Sequence, residues 1–176
     1  MERSELAKSI FEISHLTGEF LLRSGQISNE YFDKYLFESN PHILEAIAKH
    51  MSELIPSECE VLAGLEMGGI PIATSISLYS KLPAAFIRKK AKEYGTKKVN
   101  EGADINGKKI VIIEDVITSG GQVILSAEDL RKAGAEILCC ICVINRQQGG
   151  VEALEKAGIP LISLFTMEEL KASVPS

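Results

Sequence analysis

The sequence predicts an α/β fold, a mostly parallel central sheet flanked by helices, and three observations carry that prediction. Residues 109–122, KIVIIEDVITSGGQ, place the apolar run Ile110, Val111, Ile112 and Ile113 directly before an acidic pair, a small-residue turn and a helical pattern. A β-branched run closed in this way reads as a strand buried on both faces, with its carboxyl end feeding a helix. Strand and helix patterns then alternate from Val61 onward, which favours parallel strands joined by right-handed crossovers. Finally, 176 residues at 45% hydrophobic composition suffice for one core in a single domain.

Each element can be argued in turn. Leu6, Ile10, Ile13 and Leu16 recur at helical spacing over residues 4–16, with Ser4 as the expected cap. Within Phe20–Phe37, Arg23-Ser24-Gly25 separates two strand-like pieces, predicting a hairpin or small flap beside the main sheet. Tyr31 and Phe32 read equally well as core of that flap or as rings that stack on a planar base. Asn40-Pro41 starts a helix with Ile43, Leu44, Ile47, Met51, Leu54 and Ile55 on its buried stripe. The expected division is an N-terminal helix and flap over about residues 1–40 and a core sheet over about 41–176.

Strand Val61–Leu65 ends in a Gly-rich turn, Glu66-Met67-Gly68-Gly69, that opens a helix reaching about Tyr79; Pro83–Ile87 is the next strand. Residues 88–108 show no periodicity, the pattern of a mobile binding loop. After the central strand, Gln122–Ala133 is helical and stops at Gly134. Strand Ile137–Ile144 delivers Asn145-Arg146 to the carboxyl edge; a helix over Val151–Ala157, a strand over Pro160–Phe165 and a Thr166-capped helix over Met167–Ala172 follow.

The chemistry gathers at the carboxyl edge, where open α/β sheets bind ligands. Backbone N–H groups of Thr118, Ser119, Gly120, Gly121 and Gln122, at a helix start, form a cradle for a phosphate. The turn alone also fits an ordinary strand-turn-helix in which Asp115 is the cap. Glu114 and Asp115 can accept hydrogen bonds from sugar hydroxyls, or hold water around a Mg2+ ion brought by the ligand. Neither the P-loop nor the dinucleotide fingerprint is present. Between Arg88 and Lys98 stand six basic residues and one acidic, a local +5 in a chain of net charge −5. That contrast favours a small anionic ligand over a nucleic-acid groove.

The apolar runs fall far short of a bilayer span and the N-terminus lacks a signal-peptide core, so a soluble, cytoplasmic protein without membrane partners is expected. Cys59, Cys139, Cys140 and Cys142 show no metal or redox spacing and read as buried thiols. His15, His42 and His50 lie in no catalytic motif.

IIEDVITSGGQ at 112–122 resembles the phosphoribosyl-pyrophosphate motif of the type I phosphoribosyltransferases. Four further stretches resemble the orotate phosphoribosyltransferases within that group: LLRSGQISNEYFD at 21–33, GLEMGGIPIA at 64–73, IRKKAKEYGT at 87–96 and NRQQGG at 145–150. The resemblance implies that fold, with an N-terminal hood, and transfer of a phosphoribosyl group from phosphoribosyl pyrophosphate (PRPP) to orotate, with Mg2+ accompanying the donor. It implies that Thr118–Gln122, behind Val116 and Ile117, bind the 5'-phosphate and that Glu114 and Asp115 bind the ribose. Arg23, Met67, Gly68, Arg88, Lys89, Lys92 and Tyr94 would surround the diphosphate, Lys92 and Arg88 acting catalytically. Tyr31, Phe32, Thr118 and Arg146 would hold orotate. A homodimer sharing Arg88, Lys92 and Tyr94 across its interface is implied too. Four positions depart from the common pattern: Arg23 replaces lysine, Tyr94 replaces histidine, Gly68 stands where lysine can occur and Asn145 where aspartate often does. Two rival readings are a purine phosphoribosyltransferase and a PRPP-sensing regulator that binds nucleic acid.

Overall fold

The computed structural model describes residues 1–22, 24–89 and 99–174, so Arg23, Lys92 and Tyr94 of the expected site lie outside the described residues. Helix α1 (Arg3–Ser14) buries Leu6 and Ile10, as their spacing predicts. It starts earlier than expected, with Glu2 rather than Ser4 at the N-cap position. Arg3 anchors this first turn: its guanidinium donates to the Leu164 carbonyl (2.7 Å) and to Glu169 (2.8 Å), and lies 4.5 Å from the Phe165 ring centroid. Leu16 belongs to the next element, strand β1 (His15–Leu21), which pairs antiparallel with β2 (Ile27–Phe32) as a separate two-stranded flap.

The strand-like reading of the segment after Phe32 is corrected by helix α2 (Lys34–Ser39). Its N-cap is Asp33, whose carboxylate accepts from the Tyr35 N–H at 3.0 Å. At six residues α2 is too short to show a helical period, and it is held by burial of Phe37 and Glu38. Helix α3 (Pro41–Ser52) begins as predicted: the Asn40 side chain accepts from the N–H groups of His42 and Ile43, and Ile43, Ile47 and Met51 are buried.

The remaining elements alternate. They are β3 (Val61–Leu65), α4 (Gly69–Ser80), β4 (Ala84–Ile87), β5 (Asn100–Gly102), β6 (Lys109–Ile117), α5 (Gly121–Lys132), β7 (Glu136–Asn145), α6 (Gly150–Lys156), β8 (Leu161–Thr166) and α7 (Met167–Ala172). Six strands form the main sheet in the order β5-β4-β3-β6-β7-β8, with parallel pairings except that β5 runs antiparallel to β4. Strand β5 corrects the expectation that 88–108 is structureless throughout. Three residues suffice because they pair with β4, the Asn100 side chain donates to the Ala103 carbonyl (3.1 Å), and Ile105 is buried behind them.

Side chains of β6 alternate between two apolar layers. Val111 and Ile113 pack with α1, α3, α4 and α7 through Leu6, Ile47, Ile72 and Leu170. Ile110 and Ile112 pack with α5 and α6 through Val123, Leu130 and Leu154. With both faces covered, only the strand ends are left to meet solvent and ligands. The four cysteines are free and buried, and burial pushes their thiols upward, Cys139 to about 11. No helix among the described residues is long and apolar enough to cross a membrane.

Helix α7 starts in a capping box: Thr166 Oγ1 accepts from the Glu169 N–H (3.1 Å), and Glu169 accepts from the Thr166 N–H (2.7 Å). Thr166→Ala removes one half of that exchange and is expected to cost about 1 kcal/mol, lowering the thermal midpoint by about 2–4 °C in a chain of this size. An unchanged midpoint in differential scanning calorimetry would show that the box contributes nothing.

Candidate active site

Because β4, β3, β6 and β7 are parallel neighbours, their carboxyl ends share one edge of the sheet. Read across that edge, Arg88-Lys89 comes after β4, Met67-Gly68 after β3, Glu114-Asp115 at the end of β6, and Asn145-Arg146 at the end of β7. Segments far apart in sequence thus line one crevice in the order basic, glycine, acidic, basic.

The turn expected to cradle a phosphate lies at the start of α5. Gly120 occupies the N-cap position with φ +77°, and no side chain among the described residues caps the helix. Asp115 therefore does not play the cap role that the turn alone allowed. The first-turn N–H groups stay available beside a cavity of about 190 Å³ lined by Glu114 and residues 116–123. Glycine is favoured at 120: the left-handed backbone disfavours a side chain, and a Cβ would press on the Leu154 side chain at 3.1 Å. Ile117, expected among the donor contacts, is buried in the α5–α6 layer, so only its backbone faces the crevice, accepting from the Arg146 N–H at 2.9 Å.

The acidic pair divides. Glu114 is half-buried and lines the cradle cavity. Burial, and next the charge of Asp115, raise its carboxyl well above the usual range. Asp115 is fully buried and faces Lys34 of α2, whose Nζ lies 2.6 Å from Oδ2. Burial alone would raise the Asp115 carboxyl; hydrogen bonds from Glu114, Lys34 and Glu38 outweigh it and lower it instead. Glu38, also buried, is pushed up to about 9 by burial and by its closeness to Asp115. Gly68 abuts the same carboxylates, and any Cβ there would collide with Asp115. Met67 beside it is exposed.

The turn after β3 is also tied to the basic segment, because the Lys89 N–H donates to the Glu66 side chain. Arg88 extends the sheet through its N–H to Val99 O (2.9 Å), and its guanidinium pairs with Glu101 at 3.3 Å.

On the far side of β6, the flap covers a second cavity of about 230 Å³. Tyr31, Phe32 and Arg146, predicted to act together, all line it; Thr118 does not, and stays with the phosphate cradle. Tyr31 is braced by Phe20 (ring centroids 5.6 Å apart) and Phe32 by Phe11 (6.4 Å). His15 and Lys171 also reach this cavity, and His15 Nε2 donates to Glu30 at 2.8 Å, a bond that holds the Glu30 carboxyl below its ordinary value. Lys34, Glu38, His15 and Lys171 were not legible as site residues, because each is a polar residue on a short or terminal element with no motif around it. The spacing of Lys34 and Glu38, one helical turn apart behind the Asp33 cap, was the available signal.

Compared with known proteins, residues 37–159 match the phosphoribosyl transferase domain. The chain is 47% identical to the orotate phosphoribosyltransferase of a Nocardioides species over 96% of its own length and 94% of the relative's. It is 38% identical to that of Methanocaldococcus jannaschii over 98% of each chain. Among solved structures, Mycobacterium tuberculosis orotate phosphoribosyltransferase in complex with 5-phospho-alpha-D-ribosyl 1-diphosphate superposes with a TM-score of 0.82 at 25% identity, covering 96% of this chain and 98% of that one. The likeness spans nearly the whole length of this chain and of these relatives, and the chain belongs to the phosphoribosyl transferase family, among the orotate phosphoribosyltransferases.

Proposed function

We propose that this chain transfers the phosphoribosyl group of PRPP to orotate, giving orotidine 5'-monophosphate and pyrophosphate. The observation that carries the reading is the layout of the crevice: a phosphate cradle at the centre, basic residues on the β4 side, and an aromatic cavity with an arginine on the β7 side. The donor's 5'-phosphate fits the N-terminal turn of α5, which sets its ribose over Glu114 and Asp115. The diphosphate then points toward Gly68, Arg88 and Lys89, and the flap rings close on the pyrimidine. Arg146 offers a forked guanidinium to the orotate carboxylate.

As the bond from the ribose C1 to the diphosphate breaks, positive charge grows on the sugar and negative charge on the leaving group. The Asp115 carboxylate, held low beneath the ribose, suits the first and cations of the β4 side suit the second, both fixed before reaction begins. Lys92 and Tyr94 are assigned to the leaving group, and Arg23 to the same corner, by sequence resemblance alone. A Mg2+ ion arriving with the donor fits the chemistry of this edge, since Glu114, half-buried beside the cradle, can hold its water shell. The ion would neutralise part of the diphosphate charge. We further propose that the enzyme works in the cytoplasm as a homodimer that shares its basic loop between active sites. Sequence resemblance supports this.

Pyrophosphate release should follow addition of PRPP, Mg2+ and orotate, and not of hypoxanthine, guanine or adenine. Turnover of a purine in place of orotate would overturn the assignment. Arg146→Ala is expected to raise KM for orotate about tenfold to a hundredfold, the loss of a charged hydrogen-bonded contact worth about 1.5–3 kcal/mol, with KM for PRPP nearly unchanged. Equal effects on the two substrates would remove Arg146 from the base site. Gly120→Ala should do the reverse, weakening PRPP much more than orotate at a stability cost of about 1–2 kcal/mol for the left-handed backbone. Unaltered PRPP affinity by calorimetry would place the phosphate elsewhere.

A further inference from the structure

Lys34, at the acidic corner of the crevice, belongs to none of the motifs. Lys34 stands at the first position of α2, and its side chain crosses from the flap side to the corner between the ends of β3 and β6. Its ammonium lies 2.6 Å from Asp115 Oδ2 while about a third of the side chain remains open to solvent. Asp115 Oδ2 in turn sits against the bare backbone of Gly68, and Glu38 Oε1 lies 2.9 Å from where a Cβ of residue 68 would be. The ammonium and the bare backbone of Gly68 therefore meet the same carboxylate oxygen, Asp115 Oδ2.

We propose that Lys34 is a diphosphate-binding residue of the donor site, fixed in place by Asp115. The inference rests on the PRPP reading above and extends it to a residue outside the family motifs. With the 5'-phosphate in the α5 cradle and the ribose above the end of β6, the leaving group must lie toward β3 and β4, because the β7 side holds the aromatic cavity. That corner carries the carboxyls of Glu38, Glu66, Glu114 and Asp115, so a polyanion entering it needs a cation already seated there. Lys34 supplies one. An ammonium has three N–H donors; this one is paired with Asp115 at 2.6 Å, and its solvent-facing side can meet diphosphate oxygens. Burial alone would lower the lysine; its pairing with Asp115 and the charges of Asp115, Tyr35 and Glu114 together outweigh that and raise it, so it keeps its charge. The Tyr35 ring, 5.3 Å away, adds a favourable face.

A merely structural Lys34, one that only orients Asp115, would affect every ligand bearing the ribose; a diphosphate contact affects only ligands bearing the diphosphate. Calorimetry on the full chain with Mg2+ should therefore compare PRPP, inorganic pyrophosphate, ribose 5-phosphate and orotate. Lys34→Met is expected to weaken PRPP and pyrophosphate by tenfold or more and to leave ribose 5-phosphate and orotate within about twofold, and Lys34→Arg should recover much of the loss. Should Lys34→Met fold poorly, with a buried carboxylate left unpaired, Asp115→Asn/Lys34→Met is compared with Asp115→Asn, and pyrophosphate affinity must still fall when the lysine is removed. Equal weakening of PRPP and ribose 5-phosphate, a loss confined to orotate, or no loss at all overturns the inference while leaving the PRPP reading intact. Wild-type protein that binds no PRPP overturns both.

Discussion

Strand β6 is hydrogen-bonded on both edges, to β3 and to β7, and covered on both faces by apolar layers. This double enclosure is the constraint on which the molecule is built. A backbone so enclosed satisfies its polar groups within the sheet and tolerates only apolar side chains along its length, as Ile110–Ile113 supply. Polar chemistry is then confined to the strand's exit, and the acidic pair, the glycine turn and the first turn of α5 follow one another there. The enclosure also fixes where the crevice lies, because the parallel neighbours of β6 open on the same edge.

The flap and α2 complete the site from outside the sheet. Arg146 alone would be an exposed residue at a strand end; it acquires a partner surface because β2 brings Tyr31 and Phe32 across the crevice. One residue past that strand, Asp33 stops it and caps α2, which turns Lys34 and Glu38 back toward β6. The same short connection thus serves the base cavity on one side and the acidic corner on the other. Four carboxyls share that corner; burial and their mutual repulsion push Glu38 and Glu114 upward, and the pairing of Asp115 with Lys34 offsets part of that repulsion.

Much of this was legible locally. Val61–Leu65 and the alternation that follows are written as apolar runs between glycine turns, and Asn40 and Thr166 announce their helices by side-chain chemistry that acts within three residues. Ser4, by contrast, looked like a cap and is not one, since Arg3 is pinned by residues more than 160 positions away. The three residues of β5 carry no period of their own and exist because β4 offers an open edge.

By itself, then, the chain's order of residues determined the parallel sheet and the glycine turn that opens α5, because hydrophobic periodicity, caps and glycine turns act over a few neighbouring residues; the grouping of Tyr31 and Phe32 with Arg146 came from the family resemblance. Tertiary structure alone decided that Asp115 is fully buried, that burial pushes the Glu38 carboxyl upward beside it, and that a lysine from α2 pairs with the carboxylate that abuts Gly68. Those facts depend on desolvation and on charges brought together from α2, β3 and β6, and neither quantity exists until the sheet has closed around them.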